Sequence, residues 1–411
     1  YSDQELVSFV ELGVRYKADL EPLILLQPHL VSFLPVQDKF LKEADKFVQR
    51  GWTEVHSRLP CVPFRSAACG STCRPLEPDR PRCTNDAGAP RCTCYSDGVQ
   101  VLSLNDAIDM GTLPLPQEIK PRSIDLLTGI RIMHEAAALL QMQLLMATDD
   151  FASFFNQLRL APEEMHKTGV MHPPRKGQLS AQFAIDKVLG FGIRMASNVA
   201  QRFANLIRHV FCREMDRLEE DSILQLRSAS TEFDQWCIHR LQVERRGTQT
   251  KLQFAQNRLV AANESNDKLS IHWAEQALQK ASAAVGSEKV RLFFFLVYTD
   301  DPVWITVGPD SMARSLKLWH WLTAGANFMM AIPEKRSLGT AGRWLGINFL
   351  AQLGISAVPA QKILRACMSI DAARSQSMSF SDYRRLVGFL EHIRDVLFLR
   401  GNTMYGLYAP H

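Results

Sequence analysis

The sequence lacks any apolar run long enough to span a bilayer, and no apolar leader precedes its first polar residues. A membrane helix bundle and an exported disulfide scaffold are therefore not expected. It also lacks a strong charge bias, with a net charge of only +4 over 411 residues, so composition alone gives no argument for a polyanionic partner. No internal repeat recurs, which excludes a solenoid. The charged segment from about 213 to 290 holds no sustained heptad, which excludes a long coiled coil. Cysteines are few: nine in all, six of them between Cys61 and Cys94. The spacing Cys69-x3-Cys73 followed by Cys92-x-Cys94 is looser than that of structural zinc pairs, so free thiols in a reducing, intracellular compartment are expected.

What remains is an ordinary globular composition, 46% hydrophobic and 22% charged, in a chain long enough for two or three domains. The charge is unevenly placed. From Ala331 to His411 ten Lys and Arg stand against five Asp and Glu, an excess that suits a phosphate backbone or, equally, a solvated basic surface. The chain begins at Tyr1 without methionine and stops at Tyr405–His411 with no evident domain end, so a piece of a longer polyprotein is expected.

Apolar spacing predicts helix over Tyr1–Leu59, carried by Leu6, Phe9, Val10 and Val14. Pro60–Pro90, rich in Pro, Arg, Gly and Cys, predicts turns with short strands at best. Asp106–Thr148 reads as mostly helix ending in a buried strand at Leu144–Ala147, and Arg194–Phe211 as a helix. The clearest signal is a hairpin over Leu292–Val307. Its first run, Leu292–Tyr298, is apolar and aromatic throughout, as a strand covered on both faces should be. Its second alternates, with Val303, Ile305 and Val307 on one face and Trp304 and Thr306 on the other. Beyond Leu350 the pattern returns to helix.

Between the two hairpin strands lies Thr299-Asp300-Asp301-Pro302. Adjacent carboxylates repel unless a cation sits beside them, although an Asp-Asp turn is by itself more often only a turn. A second acidic strand end is Thr148-Asp149-Asp150, with Phe155 five positions beyond Asp150 and Gln157 two further. A third piece, Phe191-Gly192 to Phe203, carries one apolar helical face and an opposite face of Arg194, Asn198, Gln201, Arg202, Asn205 and Arg208. There a glycine could let the chain approach a nucleotide or template closely; an amphipathic surface helix is the simpler reading.

In this order the pieces resemble the palm of reverse transcriptases, in particular those of gypsy-like or DIRS-like retroelements. Tyr298-Thr-Asp300-Asp301 looks like that family's Tyr-x-Asp-Asp hairpin, and Asp150 matches the lone aspartate of its first palm motif, with Asp149 as rival. Phe155 matches the aromatic that screens the sugar 2′-hydroxyl. Phe191-Gly192 through Gln201 matches the glycine-plus-glutamine motif. Ile332-Pro-Glu-Lys335 is similar to the motif whose lysine lies near the incoming nucleotide, and Arg343-Trp344-Leu345-Gly346 to the strand that grips the primer end. Upstream, Arg82-Cys-Thr-Asn-Asp86 with Ser103-Leu-Asn105 looks like the fingers motif whose arginine packs on the nucleotide, and Arg74 is a further triphosphate contact. Val358-Pro-Ala-Gln-Lys362 and Phe380–Gly388 resemble the continuation from palm to thumb.

The resemblance implies an α+β right-hand polymerase with fingers, a palm of antiparallel sheet plus helices, and a partial thumb. Its expected boundaries are an N-terminal helical region at 1–59, fingers elements at 60–120, palm at 121–350 with a helical insert at about 212–289, and the start of a thumb or connection at 351–411. It implies RNA-directed DNA polymerase activity on dNTPs and an RNA or DNA template-primer, without a membrane partner. Asp150, Asp300 and Asp301 would hold Mg²⁺ or Mn²⁺ as catalytic ligands, Lys335 would act as general acid, and Arg82, Phe155, Gly192 and Gln201 would bind nucleotide. Three features depart from the family pattern: Pro302 after the aspartates, Ser197-Asn198 where a proline and small residue are usual, and the long insert, whose origin stays open. An RNA-directed RNA polymerase usually has glycine before the aspartate pair. A degenerate or domesticated palm fold serving as an RNA-binding scaffold is the other reading.

Overall fold

The computed structural model describes residues 3–16, 18–74, 77–88, 94–96, 99–111, 113, 120–375 and 378–397. The chain divides into two compact units, one formed by 1–118 with 153–203 and the other by 119–152 with 204–411. Both mix helix and strand, so the fold class is α+β as expected. No helix among the described residues is long and apolar enough to cross a membrane.

In the first unit, β1 (Ile24–Leu25), β2 (Thr53–His56), β3 (Phe64–Arg74), β4 (Glu77–Asp86), β8 (Gly169–His172) and β9 (Gln182–Asp186) form one sheet in the order β1-β3-β8-β9-β2, with β4 paired on β3. A small separate ribbon joins β5 (Cys94–Ser96) to β6 (Val99–Val101). Pro60–Pro90 is therefore not turn-dominated: β3 and β4 are among the longest strands described, registered from Ala68↔Asp86 to Arg74↔Glu77. The prolines misled because Pro78 and Pro81 lie in a strand that, among the described residues, pairs on one side only, where a missing N–H breaks no ladder on the open edge. Tyr1–Leu59 holds the helices Gln4–Leu12 and Gln37–Gln49, but also β1 and β2. Beneath the sheet, Phe33, Val36, Cys69, Val170 and Ala184 form a small core.

The second unit is built on β7 (Leu144–Thr148), β10 (Phe293–Tyr298), β11 (Asp301–Val307) and β12 (Ser337–Gly339), an antiparallel sheet in the order β10-β11-β7-β12. Alternation along β11 sorts its side chains between two cores. Val303, Ile305 and Val307 join Leu126, Ile130 and Met133 of the Ser123–Leu139 helix. Trp304, on the opposite face, meets Phe295 of β10, Phe211 of the Ala196–Ala229 helix and Trp319 of the Pro309–Gly325 helix, with ring centroids 5.6–6.3 Å away. Covered on both faces, β11 is buried at every position after Asp301. A second small sheet, β13 (Ala341–Trp344), β14 (Ile347–Leu350) and β15 (Ile355–Ala357), adds Trp344, Ile347 and Phe349 to the first core.

The predicted insert is helical and contributes no strand to either sheet among the described residues. Ser230 caps the Thr231–Ser265 helix by accepting from Phe233 N, and Asp267 caps Lys268–Ala284 by accepting from Leu269 N and Ser270 N. Asn266, at φ 51°, turns the chain between them. The first turns of the longer helix are not mere decoration: Phe233 and Cys237 are fully buried in the core beside the Ser123–Leu139 helix, and Trp236 Nε1 donates to Glu135 at 3.2 Å.

Candidate active site

Strand pairing brings the acidic motifs of the second unit together. Val303 of β11 is opposite Thr148 of β7, so the residues just beyond each strand end lie side by side. Backbone bonds then fix them: Phe151 N donates to Asp300 O at 2.9 Å, Asp149 N to Pro302 O at 3.2 Å, and Ala331 N to Asp150 O at 2.8 Å. Pro302 sits one residue past the last β11–β7 pair, where its missing N–H interrupts no inner rung. Tyr298↔Asp301 closes the hairpin around a two-residue turn in which Thr299 takes φ 54°, a costly conformation for a β-branched residue.

The two aspartates of the first motif have different surroundings. Asp149 is buried; its Oδ1 accepts from Arg336 Nε at 3.0 Å and Asp150 N at 2.9 Å, and its Oδ2 from Trp319 Nε1 at 2.9 Å. Asp150 keeps a partly open carboxylate and pairs through Oδ2 with the exposed ammonium of Lys335. Burial, then repulsion from Asp300 and Asp150, pushes the Asp301 carboxyl up to about 6, with Lys335 opposing. The Asp300 carboxyl is raised by burial and by Asp150. Trp344 Nε1 donates to Asp301 O at 2.9 Å, tying the β13–β14 hairpin to the aspartate turn. Asp150, Asp300, Asp301 and Lys335 thus share one electrostatic neighbourhood. Among the described residues, however, no three carboxylate, thiol or imidazole groups are gathered closely enough to enclose an ion in this conformation.

The candidate nucleotide-binding residues and the cysteine cluster belong to the first unit. Arg82 is in β4 opposite Thr72; its side chain, like those of Arg74, Cys73, Cys92 and Cys94, lies outside the described residues. Cys69 is buried, with its thiol 3.4 Å from Asn85 Oδ1. Phe155 is buried in a 3₁₀ turn, under the half-exposed ring of Phe191 at 4.5 Å. Gly192 has φ 91°, and a Cβ there would lie 2.3 Å from Asn85 O, so the protein's own β4 needs the glycine. Asn105 clamps the same turn, donating to Gly192 O at 2.9 Å and accepting from Arg194 N at 2.7 Å. Gln201 is fully buried. Arg202 is buried as well, bound to Asp3 at 2.7 Å and Glu5 at 2.8 Å, so the polar helix face is not a free surface there.

Sequence reading missed Arg336, Trp319 and the Trp344 contact. Arg336 adjoins Lys335 and could have been suspected as a second cation; the two indole bonds leave no local signal.

No family model matches the sequence, and no curated protein does. Among solved structures, the chain is similar to foamy viral protease-reverse transcriptase. The form called dRH, in complex with double-stranded DNA, gives a TM-score of 0.48 at 10% identity, covering 96% of this chain and 46% of that one. The same viral protein with an RNA/DNA hybrid gives 0.46 at 10% identity, with 92% and 33% coverage. A further structure with double-stranded DNA gives 0.44 at 9%, with 98% and 60% coverage. The chain therefore spans less than two thirds of the length of these structures.

Proposed function

We propose that the protein is a nucleotidyltransferase, an RNA-directed DNA polymerase of a retrotransposon-like element, with Asp150, Asp300 and Asp301 as its metal-binding carboxylates. The observation that carries this reading is the placement of Asp150 and the Asp300–Asp301 turn at the same end of paired strands β7 and β11. Mutual repulsion and burial already disfavour ionisation of Asp300 and Asp301, and the Lys335 ammonium sits against Asp150. This donor set suits a hard divalent cation.

Mg²⁺ or Mn²⁺, when bound, would neutralise triphosphate oxygens and favour the ionised primer 3′-hydroxyl. Asp150, Asp300 and Asp301 would hold such ions, whose charge would favour the ionised carboxylates that burial and repulsion disfavour. Lys335, exposed and paired with Asp150, would supply positive charge and a proton to the departing pyrophosphate. Asp149 orients Asp150 without touching substrate. On the family register Phe155 excludes the 2′-hydroxyl and Arg82 packs on the nucleotide, with 60–120 as fingers, 121–350 as palm and 351–411 as the start of a thumb. A non-catalytic RNA-binding scaffold is the second reading, favoured by the Lys335–Asp150 pair, which already compensates one carboxylate.

Primer extension by the purified chain on an RNA template with dNTPs and Mg²⁺ or Mn²⁺ separates the two. The polymerase reading expects metal-dependent extension, whereas template binding without extension supports the scaffold.

A further inference from the structure

Two consecutive cations face two consecutive aspartates at the edge of the second unit's sheet. β12 pairs with β7 from Ser337↔Thr148, a rung that the hydroxyls of these two residues reinforce at 2.7 Å. Continuing the chain past that rung carries Arg336 to Asp149 and Lys335 to Asp150. The backbone holds the approach in place, since Ala331 N donates to Asp150 O at 2.8 Å.

The two pairs differ in what surrounds them. Arg336 meets a buried carboxylate whose other oxygen is held by Trp319, so its release would strand a buried charge. The Lys335 side chain is 58% exposed, whereas that of Asp150 is 14% exposed beneath it. An ammonium so placed can return to water at little cost. Arg336 therefore pins the turn, and Lys335 is the part that can let go.

We infer that Lys335 is a built-in competitor of the divalent cation, its ammonium holding the Asp150 carboxylate until metal displaces it. This inference rests on the three-aspartate reading above and adds what sets the metal affinity of that site. Asp150, Asp300 and Asp301 bring three carboxylates to one end of β7 and β11, and Lys335 offsets part of their charge. Its charge acts on Asp300 and Asp301 as well as on Asp150. An entering cation thus meets a ligand already occupied and a like charge beside it. Apparent affinity then falls with the fraction of molecules in which Asp150 is released. The same pair spares the metal-free fold the repulsion among its carboxylates.

Mn²⁺ binding to the purified chain, followed through the electron paramagnetic resonance signal of the free ion, tests this without a polymerase assay. Lys335→Gln should bind Mn²⁺ about three- to tenfold more tightly than wild type. Lys335→Arg, which keeps the charge, should bind no more tightly than wild type, and Lys317→Gln, on the outer face of the Pro309–Gly325 helix, should not differ from it. Asp300→Asn should remove the binding in both the wild-type and Lys335→Gln backgrounds. Urea unfolding gives a second readout: in EDTA the Lys335→Gln midpoint should lie below that of wild type, and Mn²⁺ should raise it by more. Equal or weaker Mn²⁺ binding by Lys335→Gln, or equal Mn²⁺-induced shifts in the two proteins, would overturn the inference and leave the three-aspartate reading standing. If neither protein shows Mn²⁺ binding that Asp300→Asn removes, the reading itself falls and the inference with it.

Discussion

The indole of Trp319 donates to the carboxylate of Asp149 at 2.9 Å, and both groups are buried beneath the turn that presents Asp150. Both carboxylate oxygens of Asp149 are thus engaged within the protein, by Trp319, Arg336 and the Asp150 N–H. Asp149→Ala strands an indole N–H and loosens Arg336, and should cost about 3 kcal/mol. Trp319→Phe should cost about 1–2 kcal/mol through the lost bond and the repacked rings. Urea unfolding followed by circular dichroism measures both; midpoints equal to wild type would show that the buried bond has no structural role.

Gly192→Ala should destabilise the first unit by about 2–4 kcal/mol. The new Cβ would meet a backbone carbonyl that the β3–β4 pairing holds in place, at a φ of 91° that L-residues avoid. Thermal unfolding of Gly192→Ala beside Asn105→Ala, which removes the clamp on the same turn, is the check. A Gly192→Ala protein as stable as wild type, but with weakened nucleotide binding, would instead return the glycine to a ligand role.

Acid should weaken the first unit through His172. Burial and the neighbouring Arg175 lower this imidazole to about 4, and Asp45 opposes the shift only in part. The folded chain thus keeps His172 neutral while the unfolded chain protonates it near 6.5, so its stabilising contribution is full above pH 6.5 and lost as pH falls toward 4. That window is worth at most about 3 kcal/mol. His29, also lowered by burial, acts in the same direction. His172→Phe should flatten the fall in urea midpoint between pH 7 and pH 4.5, and an unchanged slope would contradict the assignment.

The hairpin at Leu292–Val307 was legible because its pattern is local: one strand apolar throughout, one alternating, and a polar turn between. The same holds for β7 and for the helices of the insert. Hidden from sequence were features that depend on distant partners. Whether Asp149 or Asp150 faces outward is decided by Trp319 and Arg336, more than 160 residues away. Arg202 looked like a surface cation until the first helix of the chain supplied Asp3 and Glu5. The strands at Phe64–Asp86 were masked by prolines that only an edge position tolerates.

Single-nucleotide incorporation on an RNA template, compared among wild type, Asp150→Asn and Asp149→Asn, tests the central claim most directly. The three-aspartate account expects Asp150→Asn to fold normally and lose at least about a thousandfold in rate. Asp149→Asn should lose activity only in step with its lost stability. Equal incorporation by wild type and Asp150→Asn would contradict the assignment of Asp150 as a metal ligand, and with it the proposed site.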